Sequence, residues 1–352
     1  MLYHKNEKTP KCRHLRVHII LYRLDQMTET VLADINWWSK PAVRLQVFLL
    51  GGVGMQSSEL ASYFGDVGII GAGAVGTGLA YALRRAGLGP AAVASRTNAR
   101  ARELIEGLKA GIACSPAELV ERCRTVFLTV PDDQILLLSQ ALPWRKGHIA
   151  IHCSGAHSLE VLKPVAEAGG RRGAFHPLNS FPSRKLSRSR LGHSFFGIES
   201  DEESLLEALD TLAQTLGRGA LHVAGDRRVL YHICGVLASN YLVALLDAAV
   251  GLFSSLGYSE EEGLRALSPL VQATWENIGR VGTKAALSGP IARGDGGTVR
   301  AHLEYLTQLG EADLLKLYVT LGELTLEVAK AKGTLTGDNY QRLKEIFAQQ
   351  EG

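Results

Sequence analysis

The sequence has few cysteines, and none of them forms a Cys-x-x-Cys pair. Five cysteines scattered over 352 residues, an odd number, argue against both a disulfide framework and a thiolate zinc site. The eleven histidines show no His-Glu-x-x-His pattern or comparable ligand spacing near acidic residues. We therefore expect no metal site, and the unpaired thiols favour a cytoplasmic location.

Strong charge and a clear membrane span are also lacking. A net charge of +3 is too small to indicate binding to nucleic acid or to an anionic membrane. Residues 45–55 are apolar but too few to cross a bilayer. Residues 229–253 are numerous enough, yet they include His232, Asn240 and Asp247. We interpret this stretch as a buried helix of a soluble protein that also lines a site, and we predict no membrane partner.

The remaining composition and periodicity predict two domains after an N-terminal extension. An apolar fraction of 46% and a charged fraction of 21% are typical of globular proteins. Residues 1–60 show no clear period and are predicted to be a poorly ordered extension. Residues 61–224 alternate short β-rich runs with helical segments, which predicts an α/β domain with a doubly wound, mostly parallel sheet. Residues 225–352 show only helical spacing, interrupted by glycines, and are predicted to form an all-α domain for substrate and dimer contacts.

The sharpest motif is G-A-G-A-V-G at residues 71–76, directly after the apolar run Val67–Ile70. The first glycine permits a tight turn, the second lets a pyrophosphate approach, and the third allows close helix packing. The following helix would offer its free N–H groups to the phosphates. The pattern predicts a Rossmann-type dinucleotide site, with these cofactor-binding residues: Gly71, Gly73, Ala74, Val75 and Gly76.

The turn after the second strand indicates which dinucleotide binds. Its sequence is Ser95-Arg96-Thr97-Asn98, which contains no carboxylate. An acidic residue there would accept hydrogen bonds from the ribose of NAD. Arg96 can instead pair with the 2′-phosphate of NADP, and Ser95, Thr97 and Arg100 can add donors. We predict NADP, although Arg96 could be a solvated turn residue and Thr97 or Asn98 a helix cap.

Val130 and Pro131 follow the fourth strand and are predicted to run beside the nicotinamide, because loops beyond the strand ends line the ligand crevice. Asp132 either shares that place or caps the next helix.

Several segments together resemble one family. They are GAGAVGTGLA, the Ser-Arg-Thr turn, TVPDDQI, IHCSGAHSLEVL, GAFHPLNSF, LASNYLVALL and SGPIARGD. They are similar to a group of Rossmann-like oxidoreductases whose C-terminal helical domain has no assigned function. That group lies within the superfamily of 6-phosphogluconate dehydrogenase, ketopantoate reductase and prephenate dehydrogenase. The resemblance covers residues 66–352, and it implies an oxidoreductase that forms a homodimer through its C-terminal helices.

The same superfamily commonly places a Lys and an Asn one turn apart on the long helix that opens its second domain. Asn240 matches the Asn, but Val236 stands where the Lys would be. His232 lies at i, with Val236 at i+4 and Asn240 at i+8, so one continuous helix would place all three on one face. His232 is therefore predicted to move a proton and Asn240 to orient the substrate, about 11 Å apart along the axis. A satisfied core histidine is the alternative for His232.

His176 is the first candidate for general acid or base, since a comparable His-Pro occurs in the similar prephenate dehydrogenases. It closes a predicted strand and would point into the crevice where Ser154 also arrives. Ser154, Asn179 and Ser180 are predicted to bind substrate, although His176 could instead brace its loop. Arg293, in a glycine-rich loop, either holds a substrate carboxylate or pairs with Asp295, with Thr298 capping the next helix.

These residues predict a hydride transfer between NADP(H) and a small, anionic carbonyl or imine compound at an interdomain cleft. The missing lysine motivates an alternative from another class, a non-catalytic NADP-binding sensor or scaffold. Hydride exchange with a deazaflavin is a third possibility for the nucleotide domain.

Overall fold

The computed structural model describes residues 57–350, which form two compact units that divide between Gly235 and Val236. The first unit contains an eight-stranded sheet with helices, and the regular elements described in the second are helices. The predicted fold class, a doubly wound sheet followed by a helical region, is confirmed. Most of the predicted extension lies outside the described residues, whereas residues 57–60 belong to the first helix.

The sheet unit alternates strands and helices along the chain. Its strands are β1 Val67–Ile70, β2 Ala92–Ala94, β3 Ile112–Ala113, β4 Thr125–Leu128, β5 Ile149–His152, β6 Arg171–Leu178, β7 Phe195–Ser200 and β8 Gly219–His222. Its helices are α1 Ser57–Phe64, α2 Ala74–Arg85, α3 Asn98–Leu108, α4 Pro116–Arg122, α5 Asp132–Ala141, α6 Lys163–Glu167, α7 Arg184–Arg190 and α8 Glu203–Leu216. Helix α9, Arg228–Ala238, contains the division between the units.

The strand order is β3-β2-β1-β4-β5-β6-β7-β8. Strands β1 to β6 run parallel, β7 is antiparallel to β6, and β8 is parallel to β7. The order reverses between β1 and β4, and the crevice beyond the carboxyl ends of those strands is where sheets of this kind bind ligands. The glycine loop leaves β1 at this point.

Both faces of the sheet are buried. Ile69 and Phe127 pack into one apolar cluster, and their neighbours Ile70 and Leu128 into another. Successive side chains of a strand point to opposite faces, so strands covered on both sides read as continuous apolar runs. That is why the sequence already revealed β1 and β4.

Three elements of this unit were not predicted: helix α1, the two-residue strand β3 and helix α7. Helix α7 has the sequence RKLSRSR, whose charges conceal any apolar period. It packs on α2 at Gly78, where a Cβ would lie 2.9 Å from the backbone oxygen of Ser187.

The second unit consists of helices with their own core. They are α10 Asn240–Ser255, α11 Glu260–Ala286, α12 Pro290–Arg293, α13 Gly296–Leu309, α14 Ala312–Lys332 and α15 Gly337–Ala348. Ser259 and Glu262 form a capping box that starts α11, and Gly282, with φ of 83°, kinks it. The core includes Leu303 and Phe347.

The prediction of one continuous helix over residues 229–253 is wrong, because the chain breaks at Ser239 with φ −124° and ψ −65°. The register of His232 therefore does not continue to Asn240, and a shared face no longer follows. Within residues 57–350, the stretch Gly225–Ser255 is long and apolar enough to cross a membrane by length and composition, and its most apolar 18 residues have a mean hydropathy of 1.8. Its most apolar window is not buried, which corrects the prediction of a buried helix.

Candidate active site

The loop after β1 can be built only from glycine at two positions. Gly71 has φ of +117°, and a Cβ there would lie 2.4 Å from the backbone oxygen of Thr129. A Cβ at Gly76 would lie 1.9 Å from the backbone oxygen of Gly71. The loop therefore turns as tightly as the sequence motif predicts.

The start of α2 faces open space. A Cβ at Gly73 would meet no atom within 4 Å, and Gly73 occupies the N-cap position without a side chain. The N–H groups of Ala74, Val75 and Gly76 precede the first bond of the helix, from Thr77 N to Gly73 O. Its first turn contains no acidic residue. Free N–H groups and the positive end of a helix dipole fit a pyrophosphate.

Thr129, which was not predicted as a site residue, holds this loop in place. Its hydroxyl donates to the backbone oxygen of Gly71 at 2.7 Å, and its N–H donates to Ile70 O at 2.9 Å. Val130 and Pro131 follow at the same strand end, and Pro131 takes the N-cap position of α5. Asp132 is therefore not the cap of α5, and its carboxylate instead accepts a hydrogen bond from the Ser154 hydroxyl at 2.8 Å.

The turn after β2 lies next to the glycine loop, because Gly71 N donates to Ala94 O at 2.8 Å. Arg96 is exposed and makes no ion pair with any residue in the range 57–350. Thr97 takes the N-cap position of α3, but its side chain makes no capping hydrogen bond. The side chains of Ser95, Arg96 and Thr97 thus remain available to a ligand.

A second group of polar residues surrounds the end of β6. His176 Nδ1 lies 2.9 Å from the Tyr231 hydroxyl, and its ring centroid lies 6.2 Å from that of His232. A Cβ at Gly155 would come within 2.8 Å of His232 and 2.9 Å of His176 Nε2. Both predicted histidines therefore pack against residue 155, where only glycine leaves enough space for their rings. Tyr231 was missed, although it directly precedes His232.

Burial controls the protonation of this group. Burial, the charge of Arg228 and the nearby His232 lower the pKa of His176 to about 4. Burial raises the pKa of Tyr231 to about 12, against the opposing charge of Arg228. At neutral pH the imidazole of His176 is neutral and the phenol keeps its proton.

Arg228 is fully buried beneath these residues. Its Nη2 donates to Ser154 O at 2.7 Å, and its Nη1 lies 3.7 Å from Glu199 Oε2. Burial lowers the pKa of Arg228 and raises that of Glu199, while each charge partly offsets the effect on the other. Neither residue was predicted, but Arg228 precedes His232 by one helical turn, a spacing that places it on the same side of α9.

The other predicted substrate residues have partners of their own. The Ser154 hydroxyl donates to Asp132 and accepts the N–H groups of Ala156 and His157. The Asn179 side chain donates to Ser194 Oγ at 2.9 Å and accepts from Ser180 N. Their substrate roles stay predictions, as does that of the exposed Ser180.

Two predicted residues belong to the second unit. Asn240 is exposed and begins α10. Arg293 is exposed at the end of α12. Asp295 caps α13 by accepting from Thr298 N at 3.0 Å, so Asp295 rather than Thr298 is the cap. Hydrogen bonds from Thr298 lower the pKa of Asp295, with a smaller effect of Arg293.

Comparisons with known families support this architecture. A model of a Rossmann-like domain matches residues 54–177, and a model of a domain of unknown function, DUF2520, matches residues 194–325. The chain therefore combines a Rossmann-like domain with a DUF2520 domain, which is the group that its motifs resembled. A search of curated proteins finds no match.

Solved structures share the fold. Protein TM1727 from Thermotoga maritima is 26% identical with a TM-score of 0.63, covering 75% of this chain and 99% of that one. A protein from Bacteroides fragilis, named as a proposed NADP oxidoreductase, is 23% identical with a TM-score of 0.62 and the same coverage. The 1-pyrroline-5-carboxylate reductase of Streptococcus pyogenes is 17% identical with a TM-score of 0.53, covering 76% of this chain and 98% of its own.

Proposed function

We propose that the chain is an oxidoreductase that transfers a hydride between NADP(H) and a small, anionic carbonyl or imine compound. The observation that carries the proposal is the glycine loop, with its open helix start, at the point where the strand order reverses. Gly71 and Gly76 close the turn, and Gly73 leaves space for the pyrophosphate beside the free N–H groups of α2. When bound, the nicotinamide supplies or accepts the hydride.

The turn after β2 favours NADP over NAD. Arg96 has no competing ion pair in the described part of the chain, and no carboxylate precedes it to bind the ribose or to repel a 2′-phosphate. Ser95 and Thr97 add hydroxyl groups on either side. A phosphate held by Arg96 gains charge-assisted hydrogen bonds that NADH cannot make.

The histidine group provides the proton chemistry. His176 is held neutral between Tyr231 and Gly155, and His232 lies beside it on α9. We propose that His176 hydrogen-bonds the reacting oxygen or nitrogen of the substrate and that His232 delivers the proton. Asn240 is proposed to orient the substrate and Arg293 to bind its negative charge. The reductase from S. pyogenes is named for a cyclic imine that carries a carboxylate, which motivates this substrate class.

A cytoplasmic homodimer is a further part of the proposal. Large apolar side chains on α9 and α10 are exposed, among them Leu230, Leu237 and Val243. Apolar side chains exposed in such number on two consecutive helices are typical of an interaction site. Light scattering of the detergent-free protein should report twice the mass of the chain, and the protein should stay in the soluble fraction. Sedimentation with lipid vesicles would indicate a membrane partner for α9 and α10 instead.

The cofactor proposal is tested by titrating NADPH and NADH into the full chain and into Arg96→Ala. The variant should bind NADPH about 10- to 100-fold more weakly, the size of a charged hydrogen bond, with little change for NADH. The matched control is Arg84→Ala, an exposed arginine at the far end of α2. Equal losses for both cofactors would overturn the role of Arg96. Tight NADPH binding without any turnover would favour a sensor.

A further inference from the structure

One contact in the histidine group fixes which nitrogen of His176 carries the proton. The Tyr231 hydroxyl lies 2.9 Å from Nδ1 of His176 and 3.5 Å from the backbone oxygen of the same residue. The two rings meet edge to face, with centroids 5.5 Å apart. Nδ1 therefore faces the phenol, and Nε2 faces Gly155 on the other side of the ring.

The direction of the hydrogen bond follows from the phenol's surroundings. The phenol is protonated at neutral pH, because burial raises its pKa to about 12. Its single proton then goes to the nearer acceptor, Nδ1, because the carbonyl oxygen lies at the outer limit of a hydrogen bond. An imidazole that accepts at Nδ1 and is neutral must carry its proton on Nε2.

We propose that Tyr231 is a positioning residue that donates to Nδ1 of His176 and thereby holds an N–H on Nε2, directed over Gly155 toward His232. The catalytic consequence rests on the proposed function, whereas the protonation itself does not. His176 is then a permanent hydrogen-bond donor near the substrate rather than a base.

The donor matches what a carbonyl or imine reduction requires. A hydride adds to the carbon, the electron pair of the double bond moves to the oxygen or nitrogen, and that atom gains a proton. The Nε2–H of His176 can hydrogen-bond that atom while its charge develops. A neutral imidazole does not itself give up this proton, so the exposed His232 or water supplies the one consumed.

The second unit contains a matched pair for comparison. His302 Nδ1 lies 2.8 Å from the Tyr318 hydroxyl, and these rings also meet edge to face, with centroids 5.8 Å apart. No role in cofactor or substrate binding is assigned to either residue. Tyr318→Phe therefore removes the same kind of hydrogen bond away from the site.

The test is ¹⁵N NMR of the full chain labelled only at histidine. His176→Asn identifies the His176 signals by their loss. In the unmodified protein at pH 7, we expect Nε2 of His176 to be protonated and Nδ1 unprotonated. In Tyr231→Phe, the protonation should spread over both nitrogens and the pKa of His176 should rise, because the lost bond stabilised the neutral ring. Tyr318→Phe should leave the His176 signals unchanged.

Protonation on Nδ1 in the unmodified protein, or unchanged His176 signals in Tyr231→Phe, would overturn the proposal. With a reduced substrate in hand, Tyr231→Phe should lower kcat about tenfold and shift its pH profile, while the KM for NADPH stays constant. The predicted NMR result without any turnover would contradict the oxidoreductase proposal and leave the role of Tyr231 at His176 standing. Turnover with protonation on Nδ1 would support the oxidoreductase proposal and contradict the role of Tyr231 at His176.

Discussion

Replacing Arg228 with methionine should destabilise the sheet unit strongly. Arg228 is fully buried and connects Ser154, after β5, with Glu199 on β7. Removing it leaves the Ser154 carbonyl without its donor and the Glu199 carboxylate without its cation. Breaking a buried ion pair from one side costs about 3–5 kcal/mol. At about 2–4 °C per kcal/mol for a unit of this size, the melting temperature should fall by roughly 6–20 °C.

The size of the effect can be tested by urea denaturation followed by circular dichroism. The matched control is Arg122→Met, because Arg122 pairs with Glu118 at 3.0 Å but lies at the surface, where ion pairs contribute about 0–1 kcal/mol. Adding Glu199→Gln to Arg228→Met should recover part of the loss, since no charge then stays buried alone. A loss below about 1 kcal/mol for Arg228→Met would refute the role given to this ion pair.

Three further predictions concern the same unit. Gly73→Ala should keep the fold, because its Cβ meets no protein atom within 4 Å, but it should weaken NADPH binding, because that space is proposed for the pyrophosphate. Gly76→Ala should also lower the melting temperature, because its Cβ would lie 1.9 Å from a backbone oxygen. Gly155→Ala should spare NADPH binding but displace His176 and His232, and unchanged histidine NMR signals would contradict this. The pKa of His176 is about 4 in the folded chain, below its usual 6.5, so the unfolded chain binds the extra proton first as the pH falls. Stability measured by denaturation should therefore be fully present above pH 6.5 and decline toward pH 4, with a smaller decline in His176→Asn.

The cofactor loop could be predicted from the sequence because its motif is local. Gly71, Gly73 and Gly76 follow an apolar strand and precede a helix, and this pattern is recognisable without the distant contact of Thr129 with Gly71. The strands β1 and β4 were equally clear, because burial on both faces makes them continuous apolar runs.

The polar network around Arg228 and His176 could not be predicted, because its members lie far apart in the sequence. Arg228 and Ser154 are 74 residues apart, and Tyr231 and His176 are 55 apart, so only the folded sheet brings them together. No Gly or Pro stands at the break at Ser239, and the apolar pattern of the sequence continues through it. The helical face proposed for His232 and Asn240 failed for that reason.

The most direct test of the central claim follows the hydride itself. The purified full chain is incubated with cell metabolites and NADPH deuterated at the transferring position, in parallel for each of the two hydride faces. We expect a small molecule with a carbonyl- or imine-derived centre that gains one deuterium only when the protein is present. No labelled product with either face, despite tight NADPH binding, would contradict an oxidoreductase and favour a nucleotide sensor.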